Sequence, residues 1–322
     1  PNHNLETVNI SQRINAIEKN EEDFQGIIDQ IGSSDAVLWA FPVYFLLVPA
    51  QYKRFIELIS ERGAGDVFIG KYGASLSTSV HFHDHIAHNY INAICDDLGM
   101  MFTGYFSADM YDLLNERKRN QVILFAQQFF HAIENKIPTW TNFTPVNHSE
   151  FDYFPGDVYE KIDPGENKVL VLTDSSDRKT NLGRMIYRFV EAFTGNIEVI
   201  DLNQVYIKGG CQGCIQCGYD NSCLYGDNDD YKEFFNTKLK SANIFILAGL
   251  IKDRYLSSRW KLFFDRSFFN NHVPAMRGKQ IGFIISGPLR QSPDLKQALK
   301  AFYEVQETNL VDFVSDECGD SE

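Results

Sequence analysis

The chain has 322 residues, of which 44% are hydrophobic, so it is long enough for two domains and too apolar to be disordered. Its net charge of −13 argues against nucleic acid and anionic membranes as partners, although a helix N-terminus can still bind a phosphate locally. The N-terminal residues lack the basic and apolar regions of a signal peptide, which predicts a cytoplasmic protein with reduced or metal-bound cysteines.

The first predicted elements are a strand, a loop and a helix. Residues 34–40 have the pattern of a buried strand, and residues 51–57 have the pattern of a helix. The apolar run 36–50 is too short to cross a bilayer and contains Pro42 and Pro49. It is therefore interpreted as the strand and the loop that follows it.

A group of histidines follows the next predicted strand, which ends in Ser77, Thr78 and Ser79. These histidines are His81, His83, His85 and His88. Because two of them are one helical turn apart, the group could bind a metal ion. The alternative is a polar helix start whose histidines contact substrate or solvent.

The middle of the chain predicts a linker followed by a new α/β unit. Residues 137–166 contain four prolines and show no clear periodicity. The elements predicted after them are a strand at 168–172, a polar loop at 173–181, a helix at 182–193 and a strand at 197–202.

The polar loop of this second unit has the composition of a phosphate site. Backbone N–H groups and the side chains of Ser175, Thr180 and Asn181 could surround a phosphate, with Arg178 and Lys179 offsetting its charge. The alternative is an ordinary helix start, in which Thr180 or Asn181 is the N-cap.

Four closely spaced cysteines follow, in the pattern Cys-x2-Cys-x2-Cys-x5-Cys. They are Cys211, Cys214, Cys217 and Cys223. Three thiolates on one tight loop and a fourth nearby can hold a cubane iron–sulfur cluster. Structural zinc usually binds two separated cysteine pairs, so zinc fits this spacing less well. A set of reduced thiols without metal is the remaining alternative.

The sequence also predicts that the chain contains two copies of one unit. Lys53, Phe55 and Glu57 match Lys261, Phe263 and Asp265, each 208 positions further along (261 minus 53), and Gly70-Lys71 matches Gly278-Lys279 at the same offset. The alternative is two unrelated α/β domains. The predicted boundaries are repeat one at 1–136, linker at 137–166 and repeat two at 167–322, with each repeat incomplete at one end.

Apolar strands that alternate with amphipathic helices predict a doubly wound parallel sheet in each repeat. Ligands of such sheets bind at the carboxyl ends of the strands. This rule directs attention to the loops after residues 172, 40 and 76, and to their counterparts in the other repeat.

The order of these elements resembles the NAD(P)H-dependent FMN reductase superfamily, and the cysteine spacing resembles its iron–sulfur flavoprotein branch. In repeat one, the loop 40–51 reads AFPVYFLLVPAQ. It is similar to the loop that the family places under the isoalloxazine ring, roughly Ser-Pro-x-Tyr followed by five residues and Ala. The resemblance covers both repeats but not the linker.

The resemblance implies flavodoxin-like folds, noncovalent FMN, NAD(P)H as electron donor and a 4Fe-4S cluster that exchanges electrons with the flavin. Carried over by position, the phosphate loop comprises Ser175, Arg178, Thr180 and Asn181; the ring loop Pro42, Val43, Tyr44 and Phe45; the third loop Ser77 and Thr78; and the cluster ligands the four cysteines. In the branch, assembly brings the flavin of one subunit near the cluster of another, so a homo-oligomer is implied as an option.

Two departures from the family pattern suggest that the two repeats bind different cofactors. Asp174 replaces the glycine that usually opens the phosphate loop, and the second ring loop, 249–255, lacks Pro-x-Tyr. The resulting hypothesis places the flavin on repeat one and the cluster on repeat two.

The implied function is an FMN-dependent NAD(P)H oxidoreductase with a small-molecule or protein acceptor. The alternatives are a non-enzymatic electron carrier and a degenerate structural repeat without cofactor. No acid–base residue is required by this function, because the flavin carries the chemistry.

Overall fold

The computed structural model describes residues 3–109, 111–148, 151–195 and 197–317. The chain divides into two compact units, 1–145 and 146–322. The division lies within the predicted linker 137–166, whose described residues form no helix or extended strand. None of the described helices has the length and apolarity needed to cross a bilayer.

The first unit alternates helices with three strands. Its helices are α1 (Ile14–Lys19), α2 (Glu21–Ser33), α3 (Ala50–Glu61), α4 (Asp84–Asp97) and α5 (Glu116–Glu134). Its strands are β1 (Ala36–Pro42), β2 (Tyr72–Ser79) and β3 (Met101–Asp109). Short 3-10 turns at Gly65–Phe68 and Asp112–Leu114 complete the unit.

The sheet of the first unit is parallel, in the order β1-β2-β3. Helix α4 packs on β2 and β3. Phe129 and Ala132 of α5 pack against Tyr72 and Ala74 of β2. These contacts bury the apolar stripe of each amphipathic helix against the sheet, which is the main source of stability in this arrangement.

The second unit contains a longer sheet. Its helices are α6 (Asn181–Glu191), α7 (Cys217–Asp220), α8 (Tyr231–Phe234), which continues as a π-turn over Phe235–Leu239, α9 (Ser258–Ser267) and α10 (Pro293–Val305). Its strands are β4 (Val169–Thr173), β5 (Glu198–Asp201), β6 (Ile244–Lys252), β7 (Tyr255–Leu256), β8 (Gln280–Ser286) and β9 (Asn309–Ser315).

The strand order of this second sheet is β5-β4-β6-β8-β9, and all these neighbours are parallel. Strand β7 pairs antiparallel with the end of β6. Counting only the five parallel strands, the order is 2-1-3-4-5, which is the flavodoxin-like version of the doubly wound fold. The predicted fold class is therefore confirmed.

The elements of the two units begin at the offset that the sequence suggests. Strands β1, β2 and β3 begin at Ala36, Tyr72 and Met101, and β6, β8 and β9 begin 208 positions later (244 minus 36) at Ile244, Gln280 and Asn309. Helices α3 and α9 are related in the same way. This agreement supports the tandem repeat, which stays a prediction. The described part of the first unit contains no counterpart of β4 and β5.

Each unit buries one lysine–carboxylate pair on the helix that follows its first shared strand. In α3, Lys53 Nζ lies 3.0 Å from Glu57 Oε1, and both side chains are almost fully buried. In α9, Lys261 pairs with Asp265, and this pair is also buried. Each charge needs its partner, because an isolated charge in this environment is strongly destabilising.

We expect Lys261→Met to lower the free energy of unfolding by about 3–5 kcal/mol, because it leaves the Asp265 charge buried without its lysine. The double variant Lys261→Met/Asp265→Leu should be more stable than the single variant, since it removes both charges. Urea denaturation followed by circular dichroism measures both effects. The exposed pair Lys232–Asp227, at 2.9 Å, provides a control, for which Lys232→Met should cost less than about 1 kcal/mol. A double variant less stable than Lys261→Met would contradict this account.

Candidate functional site

Parallel pairing brings the predicted ring loop and the predicted third loop of the first unit side by side. Pro42 at the end of β1 lies opposite Thr78 of β2. The N–H of Val43 donates a 2.9 Å hydrogen bond to the carbonyl of Thr78. The carboxyl end of β3 lies next to them on the same edge, because β2 also pairs in parallel with β3. This edge is where ligands of doubly wound sheets bind.

The ring loop presents two of its four predicted residues and buries the other two. Pro42 and Tyr44 are half-buried, whereas Val43 and Phe45 are buried. The Phe45 ring lies 6.5 Å from that of Phe82, which follows β2. Leu46 is buried with a φ of 61°, which is a strained backbone for a branched side chain. Val43 and Phe45 therefore belong to the packed interior of the loop, whereas Pro42 and Tyr44 are partly accessible to solvent.

The two predicted residues of the third loop also differ in solvent exposure. The Thr78 side chain is exposed at the edge. The Ser77 side chain is buried, and its Oγ lies 2.8 Å from His88 Nε2 and 3.2 Å from Ser107 Oγ. Thr78 is therefore free to contact a ligand, whereas Ser77 belongs to an internal hydrogen-bond network.

His88 is the centre of that network, in a role that sequence reasoning missed. Its ring is 1% exposed and is stacked on Tyr105 at 4.3 Å. Ser75 Oγ lies 2.7 Å from Nδ1, so each ring nitrogen has a hydroxyl partner. Burial lowers the pKa of His88 to about 4, against a smaller opposing effect of Asp84. The ring is therefore neutral at physiological pH.

The network ends at a carboxylate near the surface. Asp84 Oδ2 accepts hydrogen bonds from Ser107 Oγ at 2.5 Å and Ser79 Oγ at 3.1 Å, and lies 2.9 Å from His81 Nδ1. Burial favours the neutral acid, but these hydrogen bonds outweigh it and lower the pKa of Asp84 to about 2. The signal for this site in the sequence is the serine at every second position of a buried strand.

One further atom on this edge supports a bound ligand. The Nδ1 atom of His83 is buried and has no hydrogen-bond partner among the described residues. Buried polar atoms are almost always paired in folded proteins, so a ligand at this edge would supply the missing partner.

The loop predicted to bind phosphate in the second unit is already occupied by internal hydrogen bonds. Thr180 is the N-cap of α6 and accepts from the Gly183 N–H at 3.1 Å. The Asn181 side chain donates to the Phe151 carbonyl at 2.6 Å and to Asp316 at 3.0 Å. The structure therefore shows a capped helix start, and the phosphate role of this loop stays a prediction.

The other two predicted residues of this loop do not converge on a phosphate position either. The Ser175 N–H donates to Thr173 Oγ1 at 3.2 Å. The Arg178 guanidinium lies over the Tyr187 ring at 5.2 Å and is exposed. A Cβ atom added to Gly183 would lie 2.1 Å from the Asp177 carbonyl, so the loop packs tightly against the helix.

Carboxylates add to this mismatch at the carboxyl edge of the second sheet. Asp174 accepts a short hydrogen bond from Ser257, the N-cap of α9. Asp316 accepts from Ser286 Oγ at 2.7 Å and from the Gly287 N–H at 2.7 Å, in addition to Asn181. These carboxylates repel an anion at this edge. The assignment of Ser175, Arg178, Thr180 and Asn181 to a phosphate site stays a prediction.

The cysteines of this loop interact electrostatically, Cys217 with each of the other three. Burial raises the pKa of Cys217, and the neighbouring Cys214 and Cys223 raise it further. Burial likewise raises the pKa of Cys211 to about 11, with smaller contributions from Asp265 and Cys217. Cys217 Sγ also lies 3.6 Å from His272 Nε2.

A buried arginine–carboxylate pair lies next to this loop. The Arg266 side chain is buried, pairs with Asp229, and lies over the Tyr225 ring at 4.1 Å. Its Nε has no hydrogen-bond partner among the described residues. Nevertheless, no three histidine, cysteine or acidic side chains of the described chain are placed to hold a metal ion. The cysteine loop as observed therefore does not fit a metal cluster, although its donor chemistry suits one. Cys318 lies outside the described residues.

Comparison with known families agrees with the site in the first unit. Residues 2–111 match the family model described as NADPH-dependent FMN reductase. This segment contains all of β1, β2 and β3 and both strand-end loops. The predicted resemblance to the NADPH-dependent FMN reductases is confirmed. The matched residues lie within the first unit.

One curated relative of this chain is also described as a flavoprotein. The iron–sulfur flavoprotein of Archaeoglobus fulgidus is 34% identical over 86 residues, which are 26% of this chain and 39% of the relative. The chain thus matches less than half the length of this relative. The activity, substrates and partners of the whole protein are therefore matters for proposal.

Solved structures show weaker similarity. The Trp repressor binding protein of Bacillus subtilis has a TM-score of 0.33 at 19% identity, covering 46% of this chain and 83% of its own. The NADPH-quinone reductase of P. pentosaceus has a TM-score of 0.32 at 11% identity, with coverage of 46% and 83%. The FMN-dependent NADH-azoreductase of Bacillus anthracis, in complex with FMN, has 0.31 at 12%, with coverage of 46% and 86%.

We expect His88→Gln to flatten the pH dependence of stability between pH 7 and pH 5. The pKa of His88 is lowered from 6.5 to about 4 in the fold, so the unfolded chain binds a proton first as the pH falls. The stabilisation is complete above pH 6.5 and is lost towards pH 4, by about 2 kcal/mol between pH 7 and pH 5.

Urea denaturation at both pH values measures this difference. The same substitution at His131, an exposed histidine of α5, is the control and should keep the wild-type slope. Equal slopes for wild type and His88→Gln would show that the buried ring does not resist protonation.

Proposed function

We propose that this chain is an FMN-dependent oxidoreductase that moves electrons from a nicotinamide to a small acceptor. The observation that carries the proposal is that the family match coincides with the sheet edge where the ring loop meets the third loop. We place the flavin site on the first unit, because the family match lies there and because carboxylates at the edge of the second unit accept hydrogen bonds from Ser257 and Ser286.

In this proposal Pro42, Tyr44 and Thr78 contact the ring, and His83 Nδ1 provides a polar contact. When bound, FMN supplies the chemistry of accepting a hydride and releasing electrons singly or in pairs. The protein holds the two loops in fixed register through the bond from the Val43 N–H to the Thr78 carbonyl. Fixed loops orient a ring at little entropic cost on binding.

The proposal keeps the cytoplasm as the compartment and a small molecule or a protein as the acceptor. NADH and NADPH are both retained as donors. A homo-oligomer is retained as well, since one copy could then supply groups that complete the site of another. Gel filtration with and without FMN measures the oligomeric state.

We expect Tyr44→Ala to weaken FMN binding by roughly 3–10-fold, because an aromatic ring contact contributes about 1 kcal/mol. Quenching of flavin fluorescence on titration with the full-length protein measures the affinity. Tyr159→Ala, at an exposed tyrosine of the second unit, is the matched control and should bind FMN like the wild type. The position of the site is tested by Arg178→Ala. If that change weakens binding more than Tyr44→Ala does, the flavin lies on the second unit.

An iron–sulfur protein is the second candidate function. The spacing of the four cysteines and the name of the curated relative favour it. The observed loop geometry does not, because no three donors of the described chain converge. The role of Cys211, Cys214, Cys217 and Cys223 as cluster ligands therefore stays a prediction.

This prediction requires about four iron and four sulfide per chain after purification without oxygen. Cys217→Ser should then lower both contents, because Cys217 is the central thiol, while Cys95→Ser, at a buried cysteine of α4, should lower neither. Protein that is yellow from flavin but free of iron and sulfide would leave the oxidoreductase proposal standing and remove the cluster.

A further inference from the structure

Two cysteines of the four-cysteine loop, Cys214 and Cys217, differ sharply in solvent exposure. Cys214 is exposed, whereas Cys217 is only 8% exposed and is the first residue of α7. The two thiols interact electrostatically, as groups close in space do. The loop thus places an accessible sulfur three positions before a shielded one.

The backbone around the accessible cysteine is strained and held in place. Ile215 has a φ of 61°, which is a rare left-handed conformation for a β-branched residue. Its carbonyl accepts a 2.9 Å hydrogen bond from the Gly218 N–H, and Gly213 is also left-handed, with a φ of 66°. Strained residues persist only where their surroundings hold them, and they are frequent at functional sites. The chain therefore has a defined conformation on both sides of Cys214.

A histidine lies beside the shielded sulfur. Cys217 Sγ is 3.6 Å from His272 Nε2, which is a hydrogen-bond distance for sulfur. The His272 ring packs edge-on against Phe268 at 5.2 Å, and its side chain is exposed. An imidazole nitrogen at this distance can accept the proton that a thiol must lose before its sulfur acts as a nucleophile.

The framework that the two units share does not require these three side chains. The first unit has no sulfur or imidazole at the positions 208 residues earlier, which hold Glu6, Asn9 and Ala64. No three donors of the described chain are placed to hold a metal ion. Neither the shared fold nor a metal therefore accounts for this arrangement.

We propose that Cys214 and Cys217 form a dithiol site that reduces the disulfide bond of a peptide, with Cys214 as the attacking thiol and Cys217 as the resolving thiol. The accessible sulfur meets the substrate, and the shielded sulfur beside His272 completes the exchange. The site uses neither FMN nor an iron–sulfur cluster, and its activity is separate from the proposed oxidoreductase function.

The exchange proceeds in two steps. The Cys214 thiol loses its proton to water, its sulfur bonds to one substrate sulfur, the substrate S–S bond breaks, and the released thiolate takes up a proton. The Cys217 thiol then gives its proton to His272 Nε2, and its sulfur bonds to Cys214 Sγ. The second substrate thiol leaves with the proton that His272 returns. Two electrons pass from the cysteine pair to the substrate, and a dithiol such as dithiothreitol reduces the pair again.

Glutathione disulfide is the probe for this exchange. The full chain is purified without oxygen, reduced with dithiothreitol and freed of it, mixed with the probe, quenched with iodoacetamide and mapped by tandem mass spectrometry. Wild-type protein should lose two thiols to a Cys214–Cys217 disulfide, while the buried Cys95 stays reduced. In Cys217→Ser, a glutathione adduct on Cys214 should accumulate to about ten times its wild-type level, because the resolving thiol is absent.

The role of the histidine has a kinetic signature. His272→Gln should leave the rate of adduct formation on Cys214 unchanged and slow the release of the second glutathione by about 100-fold, because the Cys217 proton has lost its acceptor. His131→Gln, at an exposed histidine of α5, should match the wild type in both steps.

The wild-type map decides the matter without any substitution. A disulfide between other cysteines, no disulfide at all, or an adduct that forms first on another cysteine would overturn the inference. Protein that holds about four iron and four sulfide per chain would also overturn it, because the thiols would then be cluster ligands. Protein that forms the Cys214–Cys217 disulfide but binds no FMN would support the inference and overturn the proposed function alone.

Discussion

Parallel strand pairing governs the chemistry of the first unit. Because β2 pairs in parallel with both β1 and β3, three strands end at one edge, and side chains distant in sequence meet there. Pro42 and Thr78 become neighbours in this way, as do Ser77 and Ser107. A shift of one residue in register would turn Ser75, Ser77 and Ser79 away from α4 and leave His88 without its hydroxyl partners. The whole site thus depends on the β2 register.

The sequence was sufficient to predict the architecture, but not to predict which polar side chains form internal hydrogen bonds. Strand and helix patterns in both units predicted the doubly wound sheets, because apolar runs bounded by polar loops report burial directly. The ring loop was predicted from its Pro-x-Tyr pattern. The hydrogen bonds of the Asn181 side chain could not be predicted, because its partners Phe151 and Asp316 are remote in sequence. The hydrogen bonds of His88 could not be predicted either. Its partners Ser75 and Ser77 lie on a strand, and the alternation of residues along that strand does not show which helix residue packs against them.

The two units use the same framework in opposite ways. In the second, the strand ends are closed by carboxylates that bind the Ser257 hydroxyl and the Gly287 N–H of the same unit. In the first, the strand ends leave Thr78 exposed and His83 Nδ1 unsatisfied among the described residues. Similar elements at a constant offset therefore do not imply similar ligands, because the loops, and not the strands, decide what an edge can hold.

The hydroxyl network of the first unit also has a direction. Asp84 can only accept, so the Ser107 hydroxyl points towards it and the Ser77 hydroxyl points towards Ser107. Ser77 must then accept from His88 Nε2, which leaves Nδ1 to accept from Ser75. A single negative charge near the surface thereby selects which nitrogen of a core imidazole carries the hydrogen. Neutralising that charge would allow donor and acceptor to exchange in each of the four successive hydrogen bonds. A change of charge at the edge would thereby alter hydrogen bonding in the middle of the sheet without any movement of the backbone.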